Sequence, residues 1–294
     1  MRFKKHILIR VISFAAIISL VWLANAIKTD NIKTDNNPVS FNDDFSVHLL
    51  DVGQADSILI QNDEWYMLID AGNRGDNKII TDYLEEFGVK DLNYFIGTHS
   101  HEDHIGSAAD IINEFNPANI LLPKRIAGTK VFEEMLLSIQ NNGKEITVPT
   151  IGKEFFLGDD SFIVLSPDKE KEDTNNNSIV IMYTHTNPNG DTKWLFMGDA
   201  EADIEAELLE SNFNLDADVL KVGHHGSNTS SSQDFIEAVS PEVALISVGK
   251  DNKYGHPHDE TLETLNGFNI NVLRTDEKGA VVLGISDNGE IYEK

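Results

Sequence analysis

Cysteine is absent from the 294 residues. That excludes disulfides and thiolate metal ligands, so any bound metal must sit on nitrogen and oxygen donors. Basic residues are scarce: 23 Lys and Arg stand against 49 Asp and Glu, leaving a formal charge of -26. So negative a surface repels polyanions and excludes the broad basic face of duplex-binding proteins. Long apolar runs are missing beyond the first 26 residues, which excludes a many-span membrane protein. What remains, 40% hydrophobic residues, suffices for one full core in a domain of about 250 residues.

The N-terminus has its own logic. Arg2, Lys4 and Lys5 precede an apolar stretch from Ile7 to Leu23, followed by Ala24-Asn25-Ala26. A charged start, an apolar middle and an A-x-A site predict a signal peptide over residues 1–26. The alternative is a retained anchor, although Arg10 leaves only Val11 to Leu23 uninterrupted, short of the roughly 20 residues a span needs. Either way the positive residues stay in the cytoplasm, and the domain is expected outside the cell or anchored to the outer face of the cytoplasmic membrane. Residues 27–44 are polar and repeat Ile27-Lys28-Thr29-Asp30-Asn31 as Ile32-Lys33-Thr34-Asp35-Asn36, which predicts a linker. The catalytic domain is then residues 45–294. Loss of residues 1–26, with four basic and no acidic residues, takes the charge to -30.

From Phe45 onward, β-type runs (Phe45 to Leu50, Ser57 to Gln61, Tyr66 to Asp70, Trp194 to Met197, Val219 to Val222, Val243 to Val248) interleave with helical patterns (Asn77 to Phe87, Ser107 to Phe115, Val131 to Asn141, Ala202 to Ser211, Gln233 to Val239, Glu260 to Leu265). This alternation predicts a layered α/β domain.

Thr98-His99-Ser100-His101-Glu102-Asp103-His104 follows the short apolar run Tyr94 to Gly97. A strand ending in a tight loop aims His99 and His101 to one side and leaves Asp103 and His104 on the next turn. Imidazoles with a carboxylate suit Zn, Mn or Fe in a site that keeps a position open for water. Asp199 and His224 also fall where a strand gives way to a loop, the usual place for an open α/β site.

His99-x-His101-x-Asp103-His104 resembles the signature of the metallo-β-lactamase superfamily. His48-Leu49-Leu50-Asp51-Val52-Gly53-Gln54-Ala55-Asp56-Ser57, Leu68-Ile69-Asp70-Ala71-Gly72, Phe196-Met197-Gly198-Asp199, Leu220-Lys221-Val222-Gly223-His224-His225-Gly226-Ser227 and Tyr254-Gly255-His256-Pro257-His258 are similar, in order, to the hydrolase domain of the ComEC competence branch. The resemblance implies a four-layer αββα sandwich and two divalent ions, Zn or Mn. It implies His99 and His101 on the first ion, Asp103, His104 and His224 on the second, Asp199 bridging, and His225 as the substitute for His224. One departure stands out: superfamily members with a complete first site place a His before a middle strand, where this chain has Asp173-Thr174-Asn175-Asn176-Asn177-Ser178. Asn or water would complete that site.

Asp70 is expected to orient a ligand from behind by accepting an imidazole N–H. Asp51 and Asp56, flanking Gly53, read as local turn caps. His256 and His258 are candidates to bind a phosphoryl oxygen or protonate a leaving group. Ser227, Thr229, Ser230 and Ser231 before a helix suit an anion, and Lys221, Lys250 and Lys253 would make the site locally positive. The expected reaction is hydrolysis by a metal-bound hydroxide, with Asp103 taking the proton. The expected substrate is a small phosphodiester or short single-stranded nucleic acid, with no stable duplex binding. A metallo-hydrolase of a β-lactam, lactone or thioester, or a non-catalytic metal-binding surface protein, are the alternatives.

Overall fold

The structure, a computed structural model, describes residues 41–294; the segment expected to be a signal or anchor, and the linker up to residue 40, lie outside the described residues. Among the described residues no helix is long and apolar enough to cross a membrane.

Period-2 alternation of apolar side chains builds two sheets with both faces covered. On the strand Tyr94–Ile96, Tyr94 and Ile96 face the other sheet while Phe95 faces helices; Trp194 and Phe196 against Leu195 repeat the division. The first sheet contains β1 (Phe41–Leu49), β2 (Ile58–Asn62), β3 (Trp65–Ile69), β4 (Tyr94–Ile96), β5 (Asn119–Leu121), β6 (Ile146–Thr147), β14 (Val281–Ser286) and β15 (Ile291–Glu293), in the order β15-β14-β1-β2-β3-β4-β5-β6. The second contains β7 (Glu154–Leu157), β8 (Asp160–Ser166), β9 (Val180–His185), β10 (Thr192–Phe196), β11 (Val219–Lys221), β12 (Val243–Ile246) and β13 (Asn271–Arg274), in the order β13-β12-β11-β10-β9-β8-β7.

Three apolar layers hold the sandwich. One lies between the sheets around Phe45, Phe162, Tyr183 and Trp194. A second packs the first sheet against α1 (Asn77–Glu86), α3 (Ala108–Phe115) and α4 (Lys130–Asn141). The third packs the second sheet against α5 (Ala202–Glu210), α6 (Gln233–Val239) and α7 (Asp259–Gly267). The result is the four-layer αββα sandwich. Between β4 and α3 lies the one-turn helix α2 (Glu102–Ile105), and α8 (Thr275–Lys278) follows β13.

Strand β1 begins at Phe41, which pairs with Ser286 across an irregularity in the ladder with β14. Strands β5, β6, β7, β13 and β15, with α2 and α8, were not legible as elements. Each is two to four residues long, too short to display a period.

Parallel pairing of β3, β4 and β5, and of β10, β11 and β12, brings their C-terminal ends to one edge. Gly106, closing α2, fixes how the loops there approach. A Cβ on it would lie 2.2 Å from the Arg74 nitrogen and the Asn73 carbonyl carbon, and its N–H donates to the Gly72 carbonyl at 2.8 Å. Backbone cannot yield as a side-chain tip can. Gly106→Ala is therefore expected to cost about 1–3 kcal/mol and to lower the thermal midpoint by about 2–4 °C per kcal/mol, measured by calorimetry; an unchanged midpoint would show that the loops can part.

Candidate metal centre

Five connections carry the candidate residues to this edge. Asp70 ends β3 with φ 61°, and Thr98 and His99 follow β4. His101 stands at the N-cap of α2, which carries Asp103 and His104. Asp56 precedes β2, Asp199 follows β10, and His224 and His225 follow β11 with φ 47° and 53°. Non-glycine residues in the left-handed region cost about 1–2 kcal/mol each, and the site concentrates three. Gly198, φ 55°, lets the end of β10 close on its neighbours: a Cβ there would be 3.0 Å from the Thr98 Cβ and 3.1 Å from Ser178.

Asp70 anchors the arrangement. Its fully buried carboxylate accepts from the Thr98 N–H, the Thr98 hydroxyl and His104 Nδ1, each at 2.7 Å. With Nδ1 occupied, His104 presents Nε2 to Asp199 Oδ1 at 3.2 Å. His225 is pinned likewise: Nδ1 donates to the Ser247 carbonyl at 2.9 Å, leaving Nε2 at 3.6 Å from Asp103 Oδ2 and 3.7 Å from Asp199 Oδ1. Yet His104 Nε2, His225 Nε2 and Asp199 Oδ1 are buried without a hydrogen-bond partner. Buried polar atoms left so at a point of convergence need a reason, and a metal ion fits all three. Two sets have donor atoms within 4.8 Å of one another and suit an ion: His99, His104 and Asp199, and Asp103, His104 and His225. His101 sits beside the first, its Nδ1 3.1 Å from His99 Nε2. Where the middle-strand His is missing, Ser178 Oγ lies 3.4 Å from His99 Nδ1 and accepts the Asp199 N–H at 3.0 Å, while Asn175 Oδ1 is buried and unpartnered.

Several expectations need correction. The second set contains His225 in place of His224; His224 instead donates from Nδ1 to Glu201 Oε1 at 2.8 Å, at the mouth of the cleft. The physical reason is the paired left-handed residues, which turn consecutive side chains to different surroundings. Lys221 does not offer charge to a substrate: two residues after the inward-facing Val219, it points between the sheets, is 1% exposed and pairs with Asp56 Oδ2 at 2.7 Å. Asp56 is accordingly no turn cap, since it lies buried behind His225, Oδ1 3.4 Å from Nδ1. His258 does not line the cleft; its Nδ1 accepts the Asn228 N–H at 2.9 Å and so fastens the turn after His225. Ser227 accepts from the Thr229 hydroxyl at 3.0 Å and is buried. The expected anion position before α6 is taken by the Glu205 carboxylate, which accepts the N–H groups of Ser231 and of Ser232, the latter at 2.9 Å. Asp199 stands just ahead of α5, whose N-cap is Glu201. Glu201 itself, missed in the sequence, had no signal there beyond its place two residues after Asp199.

The electrostatics follow from packing carboxylates this tightly. Burial would depress His225, but the Asp199 and Asp56 carboxylates outweigh it and push it up to about 10. His104 is raised for the same reason, against burial, by Asp199 and Asp70. Burial favours protonation of Asp103, yet His225 and His104 hold it down at about 2. The centre thus calls for cations, and a proton and a metal ion compete for the same imidazole nitrogens. His256 runs the other way: burial, then His224 and His225, lower it to about 4, while Glu201 raises His224 against its burial. His256 is neutral near pH 7 and His224 is the better donor.

Above the ligand sets opens a cleft of about 350 Å³, lined by Gln54, His101, Asn175, His224, Tyr254 and His256. Gln54 Nε2 lies 3.4 Å from His256 Nδ1, and Gln54 Oε1 accepts the Gly249 N–H.

The sandwich and the strand-end His/Asp cluster define a protein of the metal-dependent hydrolase type, and the comparisons agree. The profile of the metallo-beta-lactamase superfamily matches residues 50–250, and the chain belongs to that superfamily. It is 32% identical to ComE operon protein 3 of Bacillus subtilis (strain 168) over 253 residues, which cover 80% of this chain and 32% of that protein. It is 30% identical to Recombination protein 2 of Haemophilus influenzae over 245 residues, 81% of this chain and 28% of that one. The chain thus spans about a third of the length of these curated relatives. The metallo-beta-lactamase fold protein YhfI from Bacillus subtilis superposes with a TM-score of 0.55 at 12% identity, covering 85% of this chain and all of its own, and so shares the fold.

The placement of the two adjacent histidines generates a test. His225→Ala is expected to lower bound metal, read by elemental analysis of protein prepared with Zn or Mn, whereas His224→Ala retains it. Loss with His224→Ala alone would return the ligand role to His224.

Proposed function

We propose that the domain is a metal-dependent phosphodiesterase acting on short single-stranded nucleic acid or small phosphodiesters. The observation that carries this reading is the pair of imidazoles on the cleft wall, His224 and His256, with ring centroids 5.4 Å apart above the two ligand sets. Two adjacent nitrogen donors beside a bound-ion site suit the oxygens of a phosphoryl group. Tyr254 adds a half-exposed ring, stacked on His256 at 5.7 Å with Lys253 Nζ 4.8 Å from its centre. Such a platform suits a base next to the phosphate. A relative named for recombination adds support.

The residues that would hold two divalent ions, Zn or Mn, are His99, His101 and Asp199 on one side and Asp103, His104, His225 and Asp199 on the other, His104 having only Nε2 to give because Nδ1 is held by Asp70. Ions bound there lower the pKa of water from about 15.7 toward about 7 and offset phosphoryl charge. The chain supplies the rest. Asp103, with Oδ2 facing His225, is placed to hold the proton of the attacking water. His224, oriented by Glu201 at 2.8 Å and by Thr229, whose hydroxyl also donates to Glu201 at 2.8 Å, donates a proton to the leaving oxygen. His256, steadied by Gln54, accepts a hydrogen bond from the substrate or holds its oxygen through a neutral N–H. The acidic surface restricts substrates to short ones, screened beyond about 8 Å at physiological salt. We also place the domain outside the cytoplasm, on the charged and apolar pattern of residues 1–26.

The full chain, loaded with Zn or Mn, is assayed on bis-p-nitrophenyl phosphate, short single-stranded DNA, duplex DNA and a lactone. Turnover is expected on the first two and little on duplex. His224→Ala is expected to lower kcat by about 100-fold or more with metal retained, and Glu201→Gln to lower it less, in the same direction. Lactone turnover without phosphodiester turnover would overturn the reading.

A further inference from the structure

The buried pair Asp56–Lys221 has no part in the reaction above, yet it lies against the centre. Asp56 and Lys221 are each 1% exposed. Burying both charges is expensive, and a pair of apolar residues of similar shape would often be at least as stable. Asp56 is also tied into the loops that carry the metal ligands: its N–H donates to the Asp103 carbonyl at 3.1 Å, and its carbonyl accepts the Gly72 N–H at 2.9 Å. Its side chain stands between Lys221 and His225, with Oδ2 2.7 Å from Lys221 Nζ and Oδ1 3.4 Å from His225 Nδ1. Lys221 Nζ is further fixed by the Val222 carbonyl at 3.0 Å.

Asp56 has a second possible use. Its donor atoms lie within 4.8 Å of those of Asp199 and His225, a third grouping able to hold an ion, and it forms a fourth with Asp70 and His104. An unpaired carboxylate so placed would compete with Asp103 and Asp199 for any ion bound there, because an anionic oxygen in a dry site is drawn to the nearest divalent charge. We propose that Lys221 is a positioning residue that sets the ligand set of the metal centre: its ammonium holds Asp56 back as the carboxylate behind His225 and keeps it from becoming a ligand itself.

This rests on the metal-centre reading above, and cobalt(II) separates the two. The wild-type full chain, Lys221→Met and Lys221→Met/Asp56→Asn are titrated with cobalt, following visible d–d absorption and the number of ions bound. Wild type is expected to bind cobalt. Lys221→Met is expected to show a changed d–d spectrum, as a carboxylate oxygen enters, and a dissociation constant shifted by about 10-fold to 100-fold, the usual effect of losing an outer partner. The double variant removes the freed carboxylate along with the ammonium and is expected to regain the wild-type spectrum and ion count. An unchanged spectrum in folded Lys221→Met would overturn the proposal. Should Lys221→Met fail to fold, with Asp56 left buried and unpaired, the double variant decides: a folded double variant lacking a wild-type ion would make Asp56 a ligand and sink the idea. Wild type that binds no cobalt would instead overturn the metal-centre reading and this proposal with it.

Discussion

Four carboxylates, those of Asp56, Asp70, Asp103 and Asp199, converge at the strand-end edge of the sandwich, three of them buried with almost no access to water. Unpaired charges in such a place are costly, and much of the local structure can be understood as compensation. Asp70 is satisfied by Thr98 and His104, the charge of Asp56 is met by the Lys221 ammonium although neither of its oxygens has a hydrogen-bond partner, and Asp160, at the start of β8, shows how an ordinary buried carboxylate is served: by the Tyr183 hydroxyl, His185 and the Thr186 N–H. Asp199 keeps an oxygen without a hydrogen-bond partner while two imidazole nitrogens face it. The difference between Asp160 and Asp199 is the difference between a structural site and one arranged around an ion.

The loops pay for that arrangement in conformation. Asp70, His224 and His225 adopt positive φ, Gly106 stands where no Cβ fits, and Gly198 stands where one would be crowded. None of this would persist without rigid surroundings, which the three apolar layers provide. The strand ends bring five connections to one edge, and the packing on either face holds them at fixed separations. Precision in the cluster is thus borrowed from the core.

Much of the fold was legible because long amphipathic segments carry their period openly. The helices α1, α3, α4, α5, α6 and α7 were each read within two residues of their ends. Edge strands were not, because two to four residues cannot display a repeat and edge positions tolerate mixed polarity. The site was legible in its types and order: His99, His101, Asp103, His104 and Asp199 do come together. The orienting role read for Asp70 corresponds to a 2.7 Å bond to His104. The parts played by Asp56 and Glu201 escaped because a lone carboxylate in a loop looks the same whether it faces solvent or a buried imidazole.

By itself the sequence determined the donor chemistry and the class of fold. Without cysteine the ligands had to be His and Asp, and interleaved strand and helix periods dictated a layered α/β domain, since these depend on residue type and spacing along one chain; two sheets between helices was what the family resemblance implied. Only the tertiary structure decided which of two neighbouring histidines turns inward, that Lys221 faces Asp56 in place of a substrate, and that Glu201 backs His224. Those outcomes depend on where separate strands end relative to one another and on the burial that results, and local sequence carries no record of either.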